Sequence, residues 1–169
     1  ASLERIPPER VESLSAVNRK WLLRGIRLGG QAFHPKSYMA ISGTQATLLI
    51  GSGNLSTGGL DDGHEVFTTF RSGNPVGDAA IASWRSWIRQ LVEVTHDSAL
   101  AERFQDLDER LPTLPQAAHS GPVLHNLDTP IAEQLIAAVM AEASEHVDEL
   151  LLAAPFYDDD ADAVSRLLT

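Results

Sequence analysis

The chain has 169 residues, 43% of them hydrophobic, a formal net charge of −10 and no cysteine, which fits about one globular domain with a sizeable core. Disulfides and thiol chemistry are excluded, in keeping with a reducing, cytoplasmic compartment, and the longest apolar run, Leu150 to Phe156, is far short of a membrane span. The net charge argues against a polyanionic partner, but residues 1 to 36 hold seven Lys or Arg against three Glu, so this part is +4 and the remainder −14.

Residues 1 to 12 carry Pro7-Pro8 and mixed charge and read as an irregular lead-in or a short helix without visible chemistry. No signal peptide is visible, and the start at Ala1 is expected to reflect processing or a cut from something longer. Lys20 to Leu28 alternates weakly through Trp21, Leu23 and Ile26, which predicts a strand, with Gly29-Gly30 as the turn into a second strand over Phe33 to Ile41. On that second strand His34, Lys36 and Tyr38 share a face, with His34 and Lys36 about 7 Å apart. An imidazole and an ammonium that close together suit a phosphate. Pro35 has no N–H to give a ladder, so the spacing also predicts an irregularity at His34 to Lys36. Lys36 is one of two lysines in a chain that otherwise uses Arg, compatible with a place that wants a compact ammonium.

Ser42 to Gln45 reads as a turn and Ala46 to Ile50 as a buried strand that ends at a Gly-rich break. At its end, Gly51-Ser52-Gly53-Asn54 lets backbone N–H groups and the Ser52 and Asn54 side chains approach a ligand. The loop runs on to Gly63 and is too long to be idle. His64 to Phe70 is expected as a third strand with Glu65, Phe67 and Thr69 on one face, Glu65 within reach of an imidazole.

After a turn at Ser72 to Gly77, Ile81, Trp84, Ile88 and Leu91 recur at helical spacing and predict a helix over about Asp78 to Val94. Asp78 near its start suits the dipole. A second helix is expected over Ser98 to Arg110. Pro112, Pro115 and Pro122 mark residues 111 to 122 as a linker. Beyond it, Val123 to Asn126 reads as a short strand, Thr129-Pro130 opens a helix over Ile131 to Ala143, and Glu149 to Phe156 reads as a buried strand. Asp158-Asp159-Asp160 then caps a last helix.

The ordered set His34-x-Lys36, Gly51-Ser52-Gly53-Asn54 and Glu65 resembles the signature of the phospholipase D superfamily, and Asn54 to Leu60 resembles its nuclease-like branch. The likeness directly covers residues from about 20 to 95. It implies an α/β fold, a mixed sheet flanked by helices. Residues 1–110 would then be most of one half, 111–122 a linker, and 123–169 the truncated start of a second half. It also implies a metal-independent phosphodiesterase without cofactor, most simply a nuclease on DNA, with RNA second. By that likeness His34 is the nucleophile that forms a phosphohistidine. Lys36, Ser52 and Asn54 hold the phosphate, and Glu65 orients His34. Two departures stand out. Ile41 occupies the place of the motif's Asp, and the chain has one motif copy where such active sites use two, the second His acting as general acid. The second copy is expected from the rest of a longer chain or from a homodimer partner.

Two other functions compete with this one. A phospholipid phosphodiesterase or transphosphatidylase shares the motif, but neither a basic amphipathic helix nor a membrane anchor supports it. An inactive assembly or nucleic-acid-docking module is motivated by Ile41 and the single motif. Gly51 to Gly59 lacks the Gly-Lys-Ser/Thr ending of a phosphate loop, and no Gly-x-Ser-x-Gly elbow is present. His64, His96, His119, His125 and His146 have no metal-site spacing and read as surface or capping residues, and Trp84 and Trp87 as packing residues.

Overall fold

A computed structural model of the chain describes residues 22, 24–29, 33–111, 121–142, 149, 151 and 158–168. Within them the architecture is mixed α and β: a three-stranded sheet and four helices. The strands are β1 (Ser37–Ser42), β2 (Gln45–Gly51) and β3 (Phe67–Arg71), ordered β1-β2-β3 and antiparallel throughout. The described sheet is therefore not mixed. The β1–β2 connection leaves two residues between paired Ser42 and Gln45, and the first of them, Gly43, takes φ +58. Glycine supplies that backbone without a Cβ penalty in a two-residue hairpin.

Register then fixes what each face carries. Met39 and Ile41 pair with Leu48 and Ala46, and Leu48 also pairs with Phe70, so these side chains share one face. That face packs on α1 (Pro75–Thr95), whose Ala80, Ile81, Trp84, Trp87 and Leu91 are buried against it with Ala46 and Leu48. Leu48 and Ile81 are fully enclosed, each adding roughly 1.5–3 kcal/mol by burial. Trp84 reaches β1 by a hydrogen bond from its indole N–H to Ser37 Oγ at 3.0 Å.

Helix α1 begins earlier than its apolar spacing predicts. Asn74 caps it by accepting from Gly77 N at 2.9 Å, and Pro75 takes the first helical position, where a missing N–H costs nothing. It ends at His96, which adopts a left-handed φ of 51. Helix α2 (Ser98–Arg110) starts and stops as predicted, with Asp97 accepting from Ala99 N and Leu100 N. Helices α3 (Ile131–Glu142) and α4 (Asp162–Leu168) contact each other.

Several expectations are corrected. The second strand starts at Ser37, not Phe33, because Pro35 interrupts pairing and Phe33 to Lys36 lie outside the ladder. Of the strand predicted over Lys20 to Leu28, the described residues show only an isolated bridge at Leu28 before the turn at Gly29. The third strand starts at Phe67, so Glu65 precedes it. Inside the Gly-rich loop, Gly58–Asp62 forms a π-helical turn. Val123 to Asn126 is irregular rather than a strand. Residues 1 to 12, most of the linker, and all but residues 149 and 151 of the strand expected over Glu149 to Phe156 lie outside the described residues.

Candidate active site

The start of β1 brings the first two predicted residues to the C-terminal end of β2. Gly51 N donates to Lys36 O at 3.2 Å, one step beyond the paired Ser37 and Ile50. His34 is exposed and Lys36 half-buried. The Lys36 ammonium folds back on the imidazole, with Nζ at 2.5 Å from His34 Nδ1, 2.8 Å from Nε2 and 3.2 Å from the His34 carbonyl oxygen. A neutral ring offers one in-plane lone pair, so the ammonium satisfies only one nitrogen at a time. An entering phosphate oxygen is a stronger, charge-assisted acceptor for that ammonium. Its arrival would draw Lys36 off the ring and free a nitrogen lone pair.

The Gly-Ser-Gly turn has a packing reason. A Cβ at Gly51 or Gly53 would run into the Phe67 ring, and at Gly53 also into the Gly59 carbonyl. Phe67 in turn stands against Tyr38 with ring centroids 6.0 Å apart, and the Tyr38 hydroxyl donates to Gly53 O at 2.9 Å. These glycines let an aromatic pair clamp the turn.

Ser52 and Glu65 are brought together, but not around the imidazole. The Ser52 hydroxyl donates to Glu65 Oε2 at 2.5 Å and accepts from Val66 N at 3.1 Å, while Ser52 N donates to Val66 O at 3.0 Å. The predicted Glu65–His34 contact is replaced by a Glu65–Ser52 contact. With Glu65 ahead of β3, its carboxylate meets the hydroxyl across the short pairing of Ser52 with Val66. Asn54 is exposed, and among the described residues its carboxamide makes no hydrogen bond. Ile41, in the place of the motif's Asp, packs against the helix-side core.

His34 and Lys36 border a cleft of about 880 Å³ whose floor includes Trp84 and Trp87 and whose far wall is the segment 123–131. Gly51 lines it as well, whereas Ser52, Asn54 and Glu65 do not. The far wall is tied to α1, since the Ser83 hydroxyl donates to Val123 O at 3.2 Å. Gln134 Nε2 holds its curve by donating to His125 O at 2.6 Å and Thr129 O at 2.7 Å.

One residue in this wall corrects the sequence reading. His125 is half-buried and lines the cleft, and its Nδ1 is enclosed without a hydrogen-bond partner. Burial pushes its pKa below the ordinary imidazole value, and the Asp128 charge offsets part of that. The only trace in the sequence is a histidine flanked by Leu124 and Leu127 just before a helix start, which is equally the pattern of a capping residue. No family model, curated protein or solved structure matches the chain.

Proposed function

We propose that the chain is a phosphodiesterase of the phospholipase D type, cleaving nucleic acid with DNA ahead of RNA, and that His34 is its nucleophile. One observation carries the reading. Two motifs separated by two strands and their turn, His34-Pro35-Lys36 and Gly51-Ser52-Gly53-Asn54, meet through the Gly51–Lys36 hydrogen bond beside a cleft large enough for a nucleotide. The imidazole attacks phosphorus, the ester oxygen leaves, and water later breaks the N–P bond. Lys36 neutralises charge on a non-bridging oxygen, where phosphoryl transfer most needs it. Ser52, fixed by Glu65, and Asn54 flank the mouth as contacts for the rest of the phosphate backbone.

The chain is expected to cleave single-stranded oligonucleotides or a nitrophenyl phosphodiester in excess EDTA, and His34→Asn is expected to abolish this. Cleavage that requires magnesium, or that survives the substitution, would rule the reading out. A non-catalytic nucleic-acid-docking module is the second reading, favoured by Asn54 and Glu65 lying outside the cleft lining. It predicts oligonucleotide binding without turnover.

A further inference from the structure

The cleft is far larger than a phosphate. Its volume of about 880 Å³ lies in the range of pockets that enclose most of a drug-sized ligand, roughly 300–1,000 Å³, so an anion held at His34 and Lys36 leaves most of it to whatever that phosphate is attached to. The charge of the walls restricts that occupant. Lys36 lines the near wall and Asp128 the far one, so a second phosphate is repelled across the space from where the first is held. Between them the floor is apolar, with Phe33, Trp84, Trp87 and Val123. Asp128 is exposed and stands just ahead of α3. Among the described residues its carboxylate receives no hydrogen bond from the helix and pairs with no cation, which leaves both oxygens open as acceptors. Gln134 fixes the turn that carries it by donating to the carbonyls of His125 and Thr129 on either side.

We infer that this cleft takes the base of the nucleotide whose phosphate sits at His34 and Lys36, and that Asp128 makes it select guanine. The inference rests on the reading of His34 and Lys36 as a phosphate site and deepens it by naming the base. A nucleobase is apolar on its flat faces, which suits the floor, and polar along its edge, which suits the wall. Of the four DNA bases only guanine sets N–H donors on two adjacent atoms, N1 and the 2-amino nitrogen. These match the two oxygens of one carboxylate in a paired, charge-assisted contact. Thymine carries a carbonyl oxygen on each side of its one ring N–H, and a carboxylate repels both. Base pairing uses the same guanine edge, so the substrate has to present that base unpaired.

The test is calorimetric titration of the full chain with the 5′-monophosphates of deoxyguanosine, deoxyinosine, thymidine and base-free deoxyribose. Deoxyinosine differs from deoxyguanosine only in lacking the 2-amino group. Wild type is expected to bind the guanine nucleotide about tenfold tighter than the inosine nucleotide, and the base-free sugar phosphate weakest of the four. Asp128→Asn is expected to bring the guanine and inosine nucleotides together. The charge it removes acts on every phosphate alike, so the ratio of the two constants reports the base alone. Lys36→Met is expected to weaken all four by a common factor and keep the ratio. Equal binding of the guanine and inosine nucleotides by wild type, a preference that survives Asp128→Asn, base-free sugar phosphate binding as well as the guanine nucleotide, or no binding at all overturns the base pocket. Cleavage that depends on His34 but shows no such preference overturns the pocket and leaves the nucleophile in place. The predicted ratios without any turnover in EDTA support the pocket and remove only the phosphodiesterase reading.

Discussion

Ser52 has the geometry of a residue whose role is fixed by its neighbours. Its hydroxyl hydrogen points at Glu65 and its oxygen accepts from Val66 N, so it is held in one rotamer. A double-mutant cycle of Ser52→Ala and Glu65→Gln, read from urea midpoints, is expected to show a coupling of about 0.5–1 kcal/mol. The cycle of Glu65→Gln with His34→Asn is expected to be additive. Coupling found only in the second cycle would show that the carboxylate supports the imidazole after all. The pairing of His34 with Lys36 was legible in the sequence because residues two apart in extended chain share a face. The partner of Glu65 was not, because it depends on where the third strand begins. A start at Phe67 rather than His64 moves a carboxylate by a whole side chain.

Between elements, the α1–α2 contact turns on Asp108. Arg85 grips it with two nitrogens, and Arg89 Nη2 adds a bond at 2.9 Å. Burial alone would raise the Asp108 pKa, but the hydrogen bonds and charges of Arg85 and Arg89 outweigh it and hold the carboxyl below its usual range. A carboxylate whose folded pKa is depressed stabilises the fold fully above its unfolded value, near ~3.9. It loses that contribution as pH falls through the lower folded value. Asp108→Asn is therefore expected to cost about 1 kcal/mol at pH 7, given partial solvent screening, and progressively less as acid protonates the wild-type carboxylate. Thermal melts of both proteins from pH 7 down to pH 3 check this, and a gap that widens in acid would contradict it. The helices themselves were legible from apolar spacing, α2 to the residue. The start of α1 was hidden because Ser72 to Gly77 reads as a turn by composition, although its Asn-Pro pair is also a cap followed by proline at the first position.

At the scale of the molecule, what the sequence could not reveal is the cleft's far wall. Apolar periodicity places residues on a face but says nothing about which distant segment lies opposite it, and 123–131 has no periodicity to read. The wall is seated by a close approach: a Cβ at Gly121 would strike the Ser83 side chain on α1, beside the Ser83–Val123 bond. Gly121→Val should therefore push this segment off α1 and open the cleft over Trp84 and Trp87, which are 6% and 7% exposed. Neither His34 nor Lys36 is touched by the change. Tryptophan emission is expected to shift to longer wavelength and acrylamide quenching to rise, with helix content by circular dichroism nearly unchanged. The same variant is expected to bind oligonucleotide more weakly, because one side of the trough has moved. Emission and quenching identical to wild type would mean that the wall tolerates a side chain at Gly121 and that some contact other than this close approach seats it.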